Sequence, residues 1–422
     1  MTLKKLLLLL FVTITVSGFA AEPTATTLKL YGYVGNDFFF NSRQNVEMVD
    51  GVIQLFPKPI ELSAGADKNT TAQAEMLSIN TRLGVDITGA PICGAKSSGK
   101  VEADFAGFGT SYYVFRIRQA YVKLNWSSTE LLVGQTWHPF FGSVVPSTFS
   151  ANAGAPFQPF NRSPQVRLKQ NLSKQLTFTF SALYEMQYAS QGPAGTTNAY
   201  LKNAMIPELF AGFENKTSSW TNGIGVDLKT IKPDANSITS FSAVAYSQYV
   251  KGKLQLKGKA IYGQNLSDQL MLGGYGVSQF SADSTKAVKY TNFNNASGWI
   301  NAVYGSKIQV GVLVGISKNL GTNNDLAVSS GKKFANYGYG FYDNSALNPA
   351  LKKTDTGYYS QQVLDCLYRI NPQISYNLPN FRIGLEYDYT SASYGTIQRN
   401  GTAINPYSVD NHRILASIMY IF

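Results

Sequence analysis

The residues with most chemistry to offer are arginines placed at alternate positions. Arg116 and Arg118 flank Ile117, with Phe115 before them. Arg167 and Lys169 stand between Val166, Leu168 and Gln170. Residues two apart share one face of a strand, so each pair shows cations to one side and apolar groups to the other. Arg82, Arg369, Arg382 and Arg413 lie on the polar faces of their own alternating segments, and Lys253, Lys257 and Lys259 share another. Glu102, Asp104, Glu386 and Asp388 are the acids at equivalent inward positions. Arginine grips carboxylates bidentately, and rings of cations in a pore select anions. Arg82, Arg116, Arg118 and Arg167 are expected to cluster as an anion-preferring eyelet. The alternative use of the same residues is an ion-pair network with Glu102 and Asp104 that braces a wall.

Other chemistries find little support. There are two histidines, His138 and His412. His138, between Trp137 and Pro139, reads as a cap at a strand end. His412 lies near Asp410 and Ser417, but His412 and Ser417 are an odd number of residues apart and so face opposite sides of a strand. No catalytic triad and no enzyme is expected, and no cofactor. No metal-ligand spacing is visible, and the loop acids Asp325 and Asp355 are sparse. Gly273-Gly274-Tyr275-Gly276 is too little for a phosphate site. Cys93 and Cys366 are expected near opposite ends of the molecule, without a disulfide.

The elements that must position the arginines are strands. The chain has 422 residues, of which 14% are charged and 13% aromatic, with 26 Tyr, 25 Phe and 37 Gly. Soluble proteins carry roughly a quarter charged residues. Past the N-terminus no run of about 18 apolar residues could form a spanning helix. Residues 1–20 read as a secretory signal, with Lys4 and Lys5, an apolar core over 6–16, then Gly18 and Ala20. Without the two lysines, 34 basic residues face 25 acidic ones, a net +9 against +11 for the whole chain. Export argues against nucleic acid as the partner of that charge. Strands are expected over 28–41, 76–87, 99–108, 113–126, 129–136, 164–172, 175–188, 206–213, 219–230, 237–249, 253–264, 297–304, 307–317, 362–376, 381–392 and 410–422. Leu77, Ile79, Leu83, Val85 and Ile87 are read as one outward face, as are Ile308, Val310, Val312, Val314 and Ile316. That is an all-β, transmembrane antiparallel β-barrel of sixteen strands over 21–422, with even links short except 88–98 and odd links long except 109–112 and 231–236. If 270–280 is a strand of the ring, the count becomes eighteen. The link 137–163 holds Trp137, His138, Phe140, Phe141, Phe149, Phe157 and Phe160, too apolar for an exposed loop, and is expected to fold inward and constrict the lumen. The last strand alternates Ile414, Ala416, Ile418, Tyr420 and Phe422 on one face.

A terminal Phe on such a strand, with Tyr420, resembles the signal that Gram-negative outer-membrane barrels show to their assembly machinery. The runs Gly99–Phe105, Phe115–Leu124 and Leu132–Phe140, which includes Val133-Gly134-Gln135-Thr136-Trp137, resemble the DcaP-like trimeric porins, and more loosely the wider porin superfamily. Tyr31-Gly32-Tyr33 and Arg82-Leu83-Gly84 fit the opening strands. The clear match covers about 28–140. The resemblance implies a homotrimeric, passive diffusion channel in the bacterial outer membrane, with a basic constriction suited to carboxylates. Its expected partners are outer-membrane lipid and lipopolysaccharide, the β-barrel assembly machinery and small anionic solutes. The rival reading is a surface protein or specific uptake channel whose loops 265–296 and 318–361 bind a sugar or host ligand through Tyr337, Tyr339, Phe341 and Tyr342. A plug-bearing transporter needs about 22 strands, more than this chain can supply.

Overall fold

A computed structural model describes residues 26–107, 114–331, 333–343 and 361–422. The leader over 1–20, the link 109–112 and Asp355 lie outside them. Sixteen antiparallel strands form one closed ring. They are β1 (Thr27–Asn41), β2 (Gln73–Leu77 continued by Arg82–Thr88), β3 (Lys96–Asp104), β4 (Arg116–Asn125), β5 (Thr129–Trp137), β6 (Arg162–Asn171), β7 (Leu176–Leu183) and β8 (Glu208–Lys216). The second half is β9 (Trp220–Ile231), β10 (Ile238–Lys251), β11 (Leu254–Gln264), β12 (Ala287–Gly305), β13 (Ile308–Thr322), β14 (Gln361–Asn377), β15 (Phe381–Ile397) and β16 (Ala403–Ile421). The ring closes where β1 meets β16, with Tyr33 opposite Ile421 and Asn41 opposite Arg413. Closure leaves no free sheet edge, so backbone N–H and C=O groups are paired along the wall.

The side-chain alternation follows the expected faces. Ile308, Val310, Val312, Val314 and Ile316 are 37–62% exposed on the outer wall. Leu28, Leu30, Val34, Ile117, Val122, Ile383 and Leu385 are exposed there too. An apolar outer wall of this extent matches hydrocarbon rather than water. Trp126, Trp220, Tyr304, Tyr376, Tyr420 and Phe422 are exposed beside the short turns, forming an aromatic girdle at that rim. The free cysteines lie as expected, Cys93 in the turn 89–95 and Cys366 toward the opposite end of β14.

Three departures matter. First, β2 breaks at 78–81. Leu77 and Ile79 are buried inside while Leu83 is outside, so they do not share the face expected of them. Second, Gly273–Phe280 is a strand, but it pairs with the outer extension of β12 and with Asn336–Tyr339, beyond the ring. The count therefore stays at sixteen. Third, the link after β1 does not project outward. Its hairpin, Asn45–Met48 with Ile53–Pro57, buries Ile53, Leu55 and Phe56 inside the barrel against the link after β5.

Candidate functional site: a basic eyelet beneath two inward loops

The link between β5 and β6 enters the lumen at Trp137, which stacks on Phe141 at 4.0 Å and meets Phe160 edge-on at 5.1 Å. Phe140, Phe149 and Phe157 are buried, as the apolar character of the loop requires. The loop then crosses to the far wall. Phe149 N–H donates to Glu386 Oε2 at 2.6 Å, and Ser147 N–H to Asn301 Oδ1 at 2.9 Å. Trp299 Nε1 donates to Gln158 Oε1 at 3.0 Å, and Lys257 Nζ to Ser147 Oγ at 2.8 Å. The Phe149 ring lies where a side chain at position 384 would stand: an added Cβ on Gly384 would come 2.0 Å from it. This is the inward loop expected over 137–163, held by β11, β12 and β15, and by β14 through Arg369.

Between this loop and the wall lies a cavity of about 310 Å³, lined by Arg82, Arg116, Arg118, Arg382, Asp104 and Tyr33 among others. Arg116 binds Asp104 through two nitrogens, at 2.6 and 3.1 Å. Arg118 divides its donors between Glu102 at 2.9 Å and Asp104 at 2.6 Å. Arg82 lies 3.9 Å from Glu102 and 5.1 Å over the Tyr33 ring. Arg382 lies 4.2 Å over the Phe149 ring. Three guanidinium groups, Arg82, Arg116 and Arg118, thus meet two carboxylates, leaving a surplus of positive charge, and Arg382 stands across the cavity from them. The ion-pair network foreseen with Glu102 and Asp104 is present, and its arginines also line the cavity.

A β-bulge accounts for the aim of Arg118. Glu102 of β3 faces Gln119, and the next residue, Ala103, faces Ile117. Arg118 is the extra residue, so Arg118 and Gln119 can both turn inward. Gln119 Oε1 accepts from the Thr136 hydroxyl at 2.8 Å.

The remaining sequence candidates separate. Arg167 does not join the cluster. With Lys169 it lines a second bay of about 150 Å³, on the other side of the loop root, facing Glu214 and Tyr246. Arg369 and Arg413 are each 1% exposed. Arg369 donates to Leu55 O at 2.8 Å and Ala155 O at 3.0 Å, tying both inward loops to β14. Arg413 lies 4.1 Å over the Phe39 ring. Glu386 holds the loop tip, and Asp388 accepts from Asn371. These four act on packing, not on an open lumen. Phe341 packs on Phe293 at 4.6 Å, Tyr342 on Tyr394 at 5.6 Å and Tyr337 on Tyr275 at 5.2 Å, so these rings order the outer loops. His412 meets the Tyr387 hydroxyl outside, while Ser417 bonds Asp37 inside, so they do face opposite ways.

Sequence reading missed two features. Arg162 is buried with its guanidinium 4.4 Å over Trp137 and 5.3 Å over Phe160. It sits at a loop-to-strand junction, outside any alternating pattern. The second is a buried cluster at the loop root: His138, Glu185, Glu208, Asp227, Asp268 and Lys229. His138 Nδ1 accepts from Phe140 N–H at 3.0 Å, which places the ring proton on Nε2, facing Glu208 Oε1 at 3.2 Å. Possible ligand atoms of His138, Glu208 and Asp227, and of Glu185, Glu208 and Asp268, come within 4.8 Å of one another. The Lys229 ammonium already occupies the centre, bonded to Asp268 and, at 2.8 Å, to Asn265 O. Burial, and then Asp268, push the Glu185 carboxyl up to about 8. The members are scattered from 138 to 268, so no local spacing reveals them.

No family model matches the chain, and no curated protein matches it. Solved structures do. The outer membrane channel DcaP of Acinetobacter baumannii superposes with a TM-score of 0.67 at 18% identity, over 96% of this chain and 99% of that one. An anion-selective porin from Comamonas acidovorans gives 0.54 at 11% identity, over 94% and 100%. OmpT of Vibrio cholerae, in a trimer form, gives 0.53 at 10% identity, over 94% and 100%. The fold is that of the sixteen-stranded porins.

Proposed function

We propose that the protein is an outer-membrane porin, a water-filled passive channel for small hydrophilic solutes that prefers anions such as carboxylates. The observation that carries this reading is the cavity between the inward loop and the wall, where Arg82, Arg116, Arg118 and Arg382 outnumber Glu102 and Asp104. In a narrow space with low-dielectric walls, such a surplus focuses the field and concentrates anions. The loop sets the width and the arginines set the sign. The apolar outer wall and the aromatic girdle support residence in a bilayer. The trimer of the Vibrio porin and the anion selectivity of the Comamonas porin, both on this fold, support a homotrimer and the anion preference.

No covalent step is involved. A solute moves down its gradient, loses part of its hydration at the eyelet, and regains it in charge-assisted hydrogen bonds. Purified protein added to a planar lipid bilayer is expected to give stepwise, long-lived conductance increments. A folded protein that inserts yet gives no steps would contradict the channel reading and favour a ligand-binding surface protein.

A further inference from the structure

We infer that Gln135 is the positioning residue for Arg118, and that it sets ion selectivity without lining the pore; this rests on the eyelet reading above. The bulge that aims Arg118 inward has a cost in the wall. On the β5 side, the ladder runs from Glu130 opposite Asn125 up to Gln135 opposite Ala120 and stops there. Past that point no β4–β5 pairing continues among the described residues. A carbonyl in a wall that faces hydrocarbon needs an internal donor, because lipid offers none.

The Gln135 side chain supplies it. Its Nε2 donates to Ile117 O at 3.1 Å and to Arg118 O at 3.3 Å, the two carbonyls at the bulge. Both N–H bonds of one amide are used, and no other side-chain donor to either oxygen is present among the described residues. The neighbours of Gln135 fit the same purpose. Gly134 has φ +133°, and a Cβ there would come 2.3 Å from Ala120 O and 2.6 Å from Tyr121 Cα. Only glycine lets β5 approach the bulged strand so closely. Thr136 holds Gln119, the other inward residue of the bulge. The segment Gly134-Gln135-Thr136 is thus built around the geometry of Arg118.

The consequence is specific. Without the amide, the freed carbonyls favour a regular β4, and a regular strand cannot direct both Arg118 and Gln119 inward. Continued in the register of its longer half, Gln119 to Asn125, a regular β4 turns Arg118 away from Glu102 and Asp104, and Arg116, two residues away, turns with it.

The test compares full-length Q135L, R118S and the Q135L/R118S double variant with the parent, all folded and inserted in planar bilayers under a KCl gradient. Barrel formation is checked by heat-modifiable migration in gels. Q135L is expected to shift the reversal potential at least as far as R118S does, and the double variant to shift it no further than Q135L. A general loss of structure would not produce that non-additivity. Parental selectivity in Q135L, or additive shifts in the double variant, overturns the inference while leaving the eyelet intact. No shift in R118S itself overturns the eyelet reading and the inference with it. Should Q135L fail to fold, Q135N, whose shorter amide falls away from the two carbonyls, is read by the same criteria.

Discussion

Asp104 receives three guanidinium bonds, two from Arg116 and one from Arg118, and is itself buried. It fixes two cations while cancelling only one charge. Removing one partner of a buried ion pair destabilises by about 3–5 kcal/mol, since the remaining charges lose their counter-ion. Asp104→Asn should lower unfolding stability by about that much, measured by thermal or denaturant unfolding in detergent. It should not reduce anion preference, because the eyelet becomes more positive. Glu185 makes a different prediction. Its carboxyl titrates near 8 in the folded protein against 4.5 when unperturbed. Between these values the folded state holds a proton that the unfolded state has released, so stability falls as pH rises through that window. Glu185→Gln should lessen the decline in melting temperature between pH 5 and pH 8, and an unchanged decline would show that Glu185 is ionised throughout.

Two loops, and not one, pack inside the barrel at the scale of elements. The β5–β6 loop is pinned at its tip by Glu386, and the hairpin after β1 is pinned with it through Arg369. Glu386→Ala leaves the Phe149 and Ser150 amides without their acceptor. The loop tip should then leave the wall, giving larger and noisier single-channel conductance than the parent. The strands themselves were legible because an apolar and polar period of two persists over ten or more residues, as in Val310, Val312, Val314 and Ile316. The inward β5–β6 loop was legible because Phe140, Phe149 and Phe157 need cover. The hairpin after β1 was not, since its burial depends on Tyr394, Arg369 and Asn152, which are far away in sequence. The break in β2 and the bulge at Arg118 shift the alternation by one residue, and nothing local announces such a shift. Arg167 was misplaced for a related reason. Its inward face was right, but which side of the loop root it faces is decided by the path of the loop.

The whole molecule depends on one seam, between β1 and β16. Gly32 and Phe422 exchange two backbone hydrogen bonds there, at 3.0 and 3.1 Å. Deleting Phe422 removes that pair at the closing end, and should slow or reduce formation of the heat-modifiable folded band without altering the conductance of barrels that do form. Across the finished ring, charge is sorted by face. Apolar groups cover the outside, while Arg82, Arg116, Arg118 and Arg382 line one cavity inside, beside the inward loop. On the proposed reading, a net positive chain acts as a filter rather than as a uniformly basic surface. The central claim is that these arginines select the permeating ion. The most direct measurement is the reversal potential under a KCl gradient for the parent and for R116S/R118S. The parent should reverse on the chloride side of zero, and the variant should move toward zero or past it. A parent that reverses on the potassium side, or a folded variant with an unshifted potential, would contradict the account.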